Sequence, residues 1–429
     1  MNEIQLKPIH RPLIGELEVP GDKSISHRAV MLGSLANGTT KVTHFLEGED
    51  CMHTVEAFRS MGVSIDKEEL TLTIEGKGME AFVEPREPLY FGNSGTTARL
   101  MLGLLSGLPI FSIVYGDPSL SKRPMDRVTI PLKKMGANFD GREMGSYLPL
   151  SIRGKTLNSI DYTMPVKSAQ VKSAILLAGL HAEGETKITE MTPTRNHTEN
   201  MLRAFGADLK TDGNTITITN KQTLSATDIY VPGDISSAAF FLAAAAIIPG
   251  SELTLKNVGL NETRTGIIDV LLAMGADIQI NNEQTISGEI IGDIQITYSP
   301  LQSITIEGDI IPRLIDEIPI LALVATQVEG TTIIRDAKEL RVKETDRITA
   351  ITELLTTLGA EIEATEDGMI IHGRTQLAGG KVASYDDHRI AMMAVVASLV
   401  ANDEVILDDV SSIAVSYPGF FEDLNKISN

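Results

Sequence analysis

The chain has 429 residues, 42% hydrophobic and 22% charged, with a formal net charge of -20 at pH 7. That length exceeds one ordinary core and predicts two domains of roughly 200 residues each. The acidic balance, with aromatics at 4% and no tryptophan, excludes a broad nucleic-acid surface, which needs a basic face and stacking rings. Cys51 is the only cysteine, so no internal disulfide and no cysteine-rich metal site can form, and a reducing compartment, the cytoplasm, is expected. Residues 1–15 hold no apolar run of the kind a secretory signal requires. The longest apolar run, residues 238–248, is far short of the ~20 residues of a membrane span and predicts a buried helix.

Along the chain one unit recurs. Glycine-led turns at Gly38, Gly107, Gly184, Gly250 and Gly330, with a glycine-free version at Asn402, are spaced by roughly one sixth of the length. Each reads as the end of an apolar helix and the start of a strand, with glycine at the C-cap. A second marker is in phase with the first: Met61-Gly62-Val63, Met135-Gly136-Ala137, Phe205-Gly206-Ala207, Met274-Gly275-Ala276 and Leu358-Gly359-Ala360. It predicts a second helix per unit leading into a strand, as in a helix over 265–274 followed by a strand over 277–280. Alternating helices and strands indicate α/β architecture, and three units make a reasonable domain. The tripeptide Val-Pro-Gly followed by Asp occurs at Val19 and at Val231, a turn signal where the chain crosses between domains. The expected domains are therefore 21–231 and 1–20 plus 232–429, with a ligand cleft between them.

Basic segments mark the helix starts. In Gly21-Asp22-Lys23-Ser24-Ile25-Ser26-His27-Arg28, Ser24 or Ser26 can cap a helix running to about Ala36, with Lys23 and Arg28 beside its N-terminus. The segment lacks the spacing of a nucleotide-binding P-loop. Gly92-Asn93-Ser94-Gly95-Thr96-Thr97 precedes an apolar helix over 98–105, and its glycines allow a ligand close to the backbone. Arg123 precedes Pro124, a suitable first helical residue. Ser168-Ala169-Gln170 opens a further apolar helix, and Thr194-Arg195-Asn196-His197 caps one ending at Phe205. Asp316-Glu317 precedes a helix from Ile318. Lys343, Glu344 and Arg347 fall within one and a half turns, with Thr345 or Asp346 as caps, and Asp386-Asp387-His388-Arg389 opens an apolar helix over 390–400. Each segment alone is equally an ordinary capped helix start. Together they oppose the helix macrodipole, which favours carboxylates at N-termini, and so point to anionic ligands. No two histidines have helical spacing with carboxylate partners, so no metal is expected.

In combination, Gly21-Asp22-Lys23-Ser24, Asn93-Ser94-Gly95-Thr96-Thr97, Arg123-Pro124, Ser168-Ala169-Gln170, the run from Arg341 to Arg347 and Asp387-His388-Arg389 resemble the EPSP synthase family, 3-phosphoshikimate 1-carboxyvinyltransferases, in order over nearly the whole chain. The resemblance implies two similar domains, each of three βαβαββ units in an inside-out α/β barrel, with the active site in the interdomain cleft. It implies transfer of the enolpyruvyl group of phosphoenolpyruvate to the 5-hydroxyl of shikimate 3-phosphate, by addition and elimination through a tetrahedral ketal. Carried over by motif, Lys23, Ser24, Arg28, Ser168, Ala169, Gln170, Arg195, Asp316 and Lys343 would contact shikimate 3-phosphate. Lys23, Gly95, Arg123, Gln170, Arg347 and Arg389 would contact phosphoenolpyruvate. Asp316 would be the base for the 5-hydroxyl and Glu344 the acid for the methylene carbon, with Lys23, Lys343 and His388 assisting. The resemblance implies no cofactor, small molecules as the only partners, and a monomer.

Two departures stand out. Many relatives carry a lysine shortly before an aromatic-proline pair near the C-terminus, and Ala414-Val415-Ser416-Tyr417-Pro418 has none; Ser168-Ala169 stands where another branch has a Ser-Ser pair. The nearest rival, transfer of enolpyruvate to UDP-N-acetylglucosamine, goes with Lys-Asn in the first motif and a cysteine before the Arg-Pro pair. This chain has Lys23-Ser24 and no cysteine over 118–122. A non-catalytic anion-binding repeat protein, the other rival, would not need Asp316 and Glu344 beside the cations.

Overall fold

A computed structural model of the chain describes residues 3–9, 11–219 and 222–428. Its contacts define two compact units. One comprises Gly21–Val231 with Ile286–Glu289; the other comprises Met1–Pro20, Pro232–Thr285 and Ile290–Asn429. Each has its own apolar core.

In the Gly21–Val231 unit three helices, Lys23–Leu35, Gly95–Gly107 and Ala169–Gly179, are buried along most of their length. Their sequences explain this, because residues 100–105 and 173–179 carry no charge and leave no polar face for solvent. The second and third pack tightly. A Cβ added at Gly103 would lie 2.1 Å from the Ala174 carbonyl oxygen, so only glycine permits this approach. Around the helices stand four-stranded sheets of one design. In the order Leu89–Tyr90, Phe111–Tyr115, Leu150–Arg153, Phe139–Gly141, the first pair is parallel and the other two are antiparallel. Asp161–Thr163, Glu185–Thr189, Thr215–Thr219 and Leu209–Asp212 repeat it. The sheet of Asn37–Thr43, Thr71–Lys77 and Ser64–Glu68 takes its parallel strand from the far end, pairing Ile229 with Val42 and Tyr230 with Thr43.

The other unit repeats the scheme around the buried helices Ile235–Ile247, Ile318–Thr326 and His388–Val400. Its first sheet begins with Ile14–Leu17, parallel to Glu252–Gly259. Thr305–Ile306, Gly330–Ile334, Met369–Gly373 and Glu361–Ala364 form the second. The third has three strands, Gly380–Val382, Val405–Leu407 and Ile4–Leu6. Residues 4–17 thus start one sheet and finish another.

The second marker ends a helix in all five copies, with positive φ between 85° and 101° at Gly62, Gly136, Gly206, Gly275 and Gly359. The last unit lacks the marker and also lacks the hairpin that follows it elsewhere; Ile4–Leu6 supplies its antiparallel strand instead. Three local expectations are corrected. Asp22, not Ser24 or Ser26, caps the first helix, its carboxylate accepting from the Ile25 amide at 2.9 Å. Pro124 lies before the helix Asp126–Lys134 and not in it, in the short link between a 3-10 turn over Leu120–Lys122 and the N-cap residue Met125. The predicted helix over 98–105 begins earlier, at Gly95, and ends at Gly107. No helix among the described residues is long and apolar enough to cross a membrane.

Candidate active site

In the Gly21–Val231 unit the predicted residues gather at the N-terminal ends of the three buried helices. Lys23 opens the first and pairs with the buried carboxylate of Asp50. Ser24 occupies the same turn, its carbonyl accepting from Arg28 at 2.9 Å. Arg28 is itself buried and also donates to Thr198 at 2.6 Å and Ser173 at 2.9 Å, which makes it a brace between helices as well as a cation. Gly95 opens the second helix, capped by Ser94, whose hydroxyl accepts from the Thr97 amide at 3.1 Å. A Cβ on Gly95 would lie 2.9 Å from an Arg99 nitrogen and 3.3 Å from an Arg123 nitrogen, so two guanidinium groups flank this bare backbone. Arg123 is positioned by Asn93 and by Ser119 at 3.4 Å. Ser168 caps the third helix, and Ala169 and Gln170 follow, half-buried, in its first turn. Gln170 bridges to the second helix. Its amide nitrogen donates to Thr96 at 3.1 Å, and its oxygen accepts from Arg99 at 2.7 Å. Arg195, half-buried, precedes the helix His197–Ala204.

Beneath this cluster His27 bonds through Nδ1 to the Thr54 hydroxyl at 2.8 Å, and Thr54 to Thr97 at 2.8 Å. Burial first, then the nearby charges of Lys23 and Arg28, hold the His27 pKa well below its ordinary value. The ring stays neutral and ties the first two helices together.

In the other unit acids and cations interleave. Asp316 precedes the helix Ile318–Thr326, and one of its oxygens accepts from Lys343 and from Arg347, each at 3.1 Å. Lys343 and Glu344 lie between a 3-10 turn, Lys338–Val342, and the helix Arg347–Thr357, which Asp346 caps. Arg347 is 1% exposed and donates to Glu344 at 2.6 Å and to Asp387 at 2.8 and 3.2 Å. Burial alone would lower its pKa; the carboxylates of Asp387, Glu344 and Asp316 more than reverse this and raise it above its ordinary value. Asp387 also caps the helix His388–Val400 by accepting from the Arg389 amide. His388 is buried at the first position of that helix, and Arg389 sits 3.8 Å from Glu317. Glu317 accepts from Ser236, which Arg264 joins at 2.7 Å.

The sequence reading missed Arg99, Asp50, Asn93, Asp387 and Glu317 as working parts. Arg99 reaches Gln170 across 71 positions, a contact with no local signal. Asp387 looks like a plain cap and is one, yet its carboxylate also carries Arg347. Among the described residues no group of three or more His, Cys, Asp or Glu could hold a metal ion.

The family model described as EPSP synthase (3-phosphoshikimate 1-carboxyvinyltransferase) matches residues 8–424. A 3-phosphoshikimate 1-carboxyvinyltransferase of Oceanobacillus iheyensis is 62% identical over 100% of both chains. One of Shouchella clausii is 59% identical over 97% of this chain and 96% of its own. The structure of EPSP synthase from Acinetobacter baumannii superimposes with a TM-score of 0.89 at 47% identity, covering 99% of this chain and 98% of that one. The enolpyruvyl transferase NikO of Streptomyces tendae has a TM-score of 0.80 at 17% identity, over 99% of this chain and 96% of its own, a likeness of fold alone. With a family model spanning nearly its whole length and relatives of this identity, the chain belongs to the EPSP synthase family of 3-phosphoshikimate 1-carboxyvinyltransferases.

Proposed function

We propose that the residues gathered in each unit act on shikimate 3-phosphate and phosphoenolpyruvate. The enzyme transfers the enolpyruvyl group to the 5-hydroxyl and releases phosphate. Two anions repel each other, so they require cations and helix N-termini in a preorganised array. Ser24, Arg28, Ser168, Ala169, Gln170 and Arg195 hold shikimate 3-phosphate. Lys23, Gly95, Arg123, Arg347 and Arg389 hold phosphoenolpyruvate, and Gln170 lies between the two ligands. Arg99, which bonds Gln170 and flanks Gly95, orients both groups.

Asp316 takes the proton of the 5-hydroxyl as its oxygen bonds to C2 of phosphoenolpyruvate, and Lys343 steadies the reacting oxygen. Glu344 delivers a proton to C3, giving the tetrahedral ketal phosphate. Loss of a C3 proton and cleavage of the C2–O bond then expel phosphate, with His388 on the phosphate side. The observation that carries this reading is the meeting of Asp316, Lys343 and Glu344 through Arg347. An acid, a base and two cations in one place suit proton transfer more than simple binding. The enzyme works as a cytoplasmic monomer, which sedimentation of the pure protein tests.

Phosphate release from phosphoenolpyruvate is expected only when shikimate 3-phosphate is supplied. Release driven by UDP-N-acetylglucosamine instead would assign the chain to the rival reaction.

A further inference from the structure

Lys172 lies two residues beyond Gln170 on the helix Ala169–Gly179 and is 1% exposed. An ammonium group has three N–H bonds and no acceptor. Three oxygens meet it here: Glu190 Oε2 at 2.9 Å, the Thr194 carbonyl at 3.1 Å and Glu199 Oε1 at 2.7 Å. Glu190 closes a ring, because its Oε1 accepts from the Thr194 amide at 3.1 Å and from the Thr194 hydroxyl. The next residue, Ser173, is hydrogen-bonded to Thr198 at 2.7 Å, and Arg28 donates to both. Lys172 and Ser173 thereby grip residues 190–199 at four points, and this segment carries Arg195 between Thr194 and the helix His197–Ala204.

Core stability alone does not explain such a lysine. Burying one ammonium with two carboxylates desolvates three charges, and apolar side chains of similar volume are commonly as stable or more so. What the cluster supplies is direction, since an ammonium with all three N–H groups engaged admits one path for the turn.

We propose that Lys172 is a positioning residue for shikimate 3-phosphate. It fixes the Thr194 carbonyl and thereby aims Arg195 at the substrate that Ser168 and Gln170 also hold. This rests on the function proposed above, in which Arg195 contacts that substrate.

Lys172→Met alone would strand two buried carboxylates and risks unfolding. The informative variant combines Lys172→Met with Glu199→Met and leaves Glu190 its two bonds to Thr194. Calorimetric titration of this variant, its fold checked by circular dichroism, is expected to show about tenfold weaker binding of shikimate 3-phosphate, the size of one contact to a charged group. Its kcat at saturation is expected to stay within about twofold of the parent, because no reacting atom is touched. In an Arg195→Ala background the same pair is expected to cost less than about twofold, since the contact it acts through is already gone. Parent-like affinity in the folded pair variant overturns the proposal, and so does an undiminished loss in the Arg195→Ala background. Should the pair not fold, Thr194→Val, which removes one of the two bonds tying Glu190 to Thr194 and keeps the amide bond and the carbonyl, is expected to loosen the turn and weaken binding about threefold; unchanged binding overturns the proposal equally. Failure of the proposed function reads differently, because the parent protein would then bind no shikimate 3-phosphate.

Discussion

Arg28, Arg99 and Arg123 in the Gly21–Val231 unit are bonded to neutral oxygens of Thr198, Ser173, Gln170 and Asn93, whereas Arg347 in the other unit meets three carboxylates. Hydrogen bonds to neutral oxygens orient these guanidinium groups. Carboxylate partners share the charge of Arg347, which holds three acids beside one cation. The same helix-start design therefore serves two purposes. In the function proposed above, the arginines of the first unit bind ligand, while Arg347 of the other both binds phosphoenolpyruvate and holds the acids of the reaction in place.

The largest expected effect breaks the second arrangement. Arg347→Met removes the shared cation from Asp316, Glu344 and Asp387 and should destabilise the protein by about 3–5 kcal/mol in urea unfolding. A loss under about 1 kcal/mol would mean the carboxylates do not depend on it. Glu344→Gln keeps an acceptor for Arg347 but removes the acid, and kcat should fall on the order of a hundredfold in a phosphate-release assay. Parent-like kcat would move the proton donor elsewhere. Gly95→Ala tests the binding side. Its methyl group would meet Arg99 and Arg123 nitrogens at 2.9 and 3.3 Å and should raise the KM for phosphoenolpyruvate about tenfold, with a smaller change for shikimate 3-phosphate. Equal effects on both substrates would dissolve the division between their subsites.

The smallest effect lies away from both clusters. His181, against Gly107, has its pKa lowered to about 4 by burial. Between that value and the ordinary 6.5, the unfolded chain binds a proton the folded chain refuses. This contribution is complete above pH 6.5 and is lost as pH falls towards 4, about 1 kcal/mol of it between pH 6.5 and 5.5. His27 acts with the same sign. His181→Leu should flatten the slope of stability against pH and leave kcat at pH 7 within about twofold. An unchanged slope would place the acid sensitivity elsewhere.

Much of this design is legible in the chain, for local reasons. Positive φ after a helix selects glycine, so the five second markers could be read directly. Between Thr345 and Asp346 the sequence left the cap open; Asp346 is the cap, one oxygen accepting from the Thr349 amide and the other from Arg341 at 2.7 Å. Asp22, Ser24 and Ser26 were harder: three residues able to cap stand within five positions, and only the fold decides that Asp22 does it. Pairings across the chain had no local trace. Ile229 with Val42, Ile14 with Glu252 and Ile4 with Leu407 depend on sheet closure, which short strands of two to four residues cannot announce. Arg28 could be read as a cation at a helix start, but not as a buried brace, since Thr198 and Ser173 are 170 and 145 positions away.

The division between binding and reaction is tested most directly in one preparation of the Asp316→Ala protein, comparing shikimate 3-phosphate affinity by calorimetry with phosphate release at saturating substrates. The expected result is turnover reduced about a hundredfold or more, with affinity within a few-fold of the parent. Near-normal turnover, or a loss of affinity as large as the loss of turnover, would contradict it.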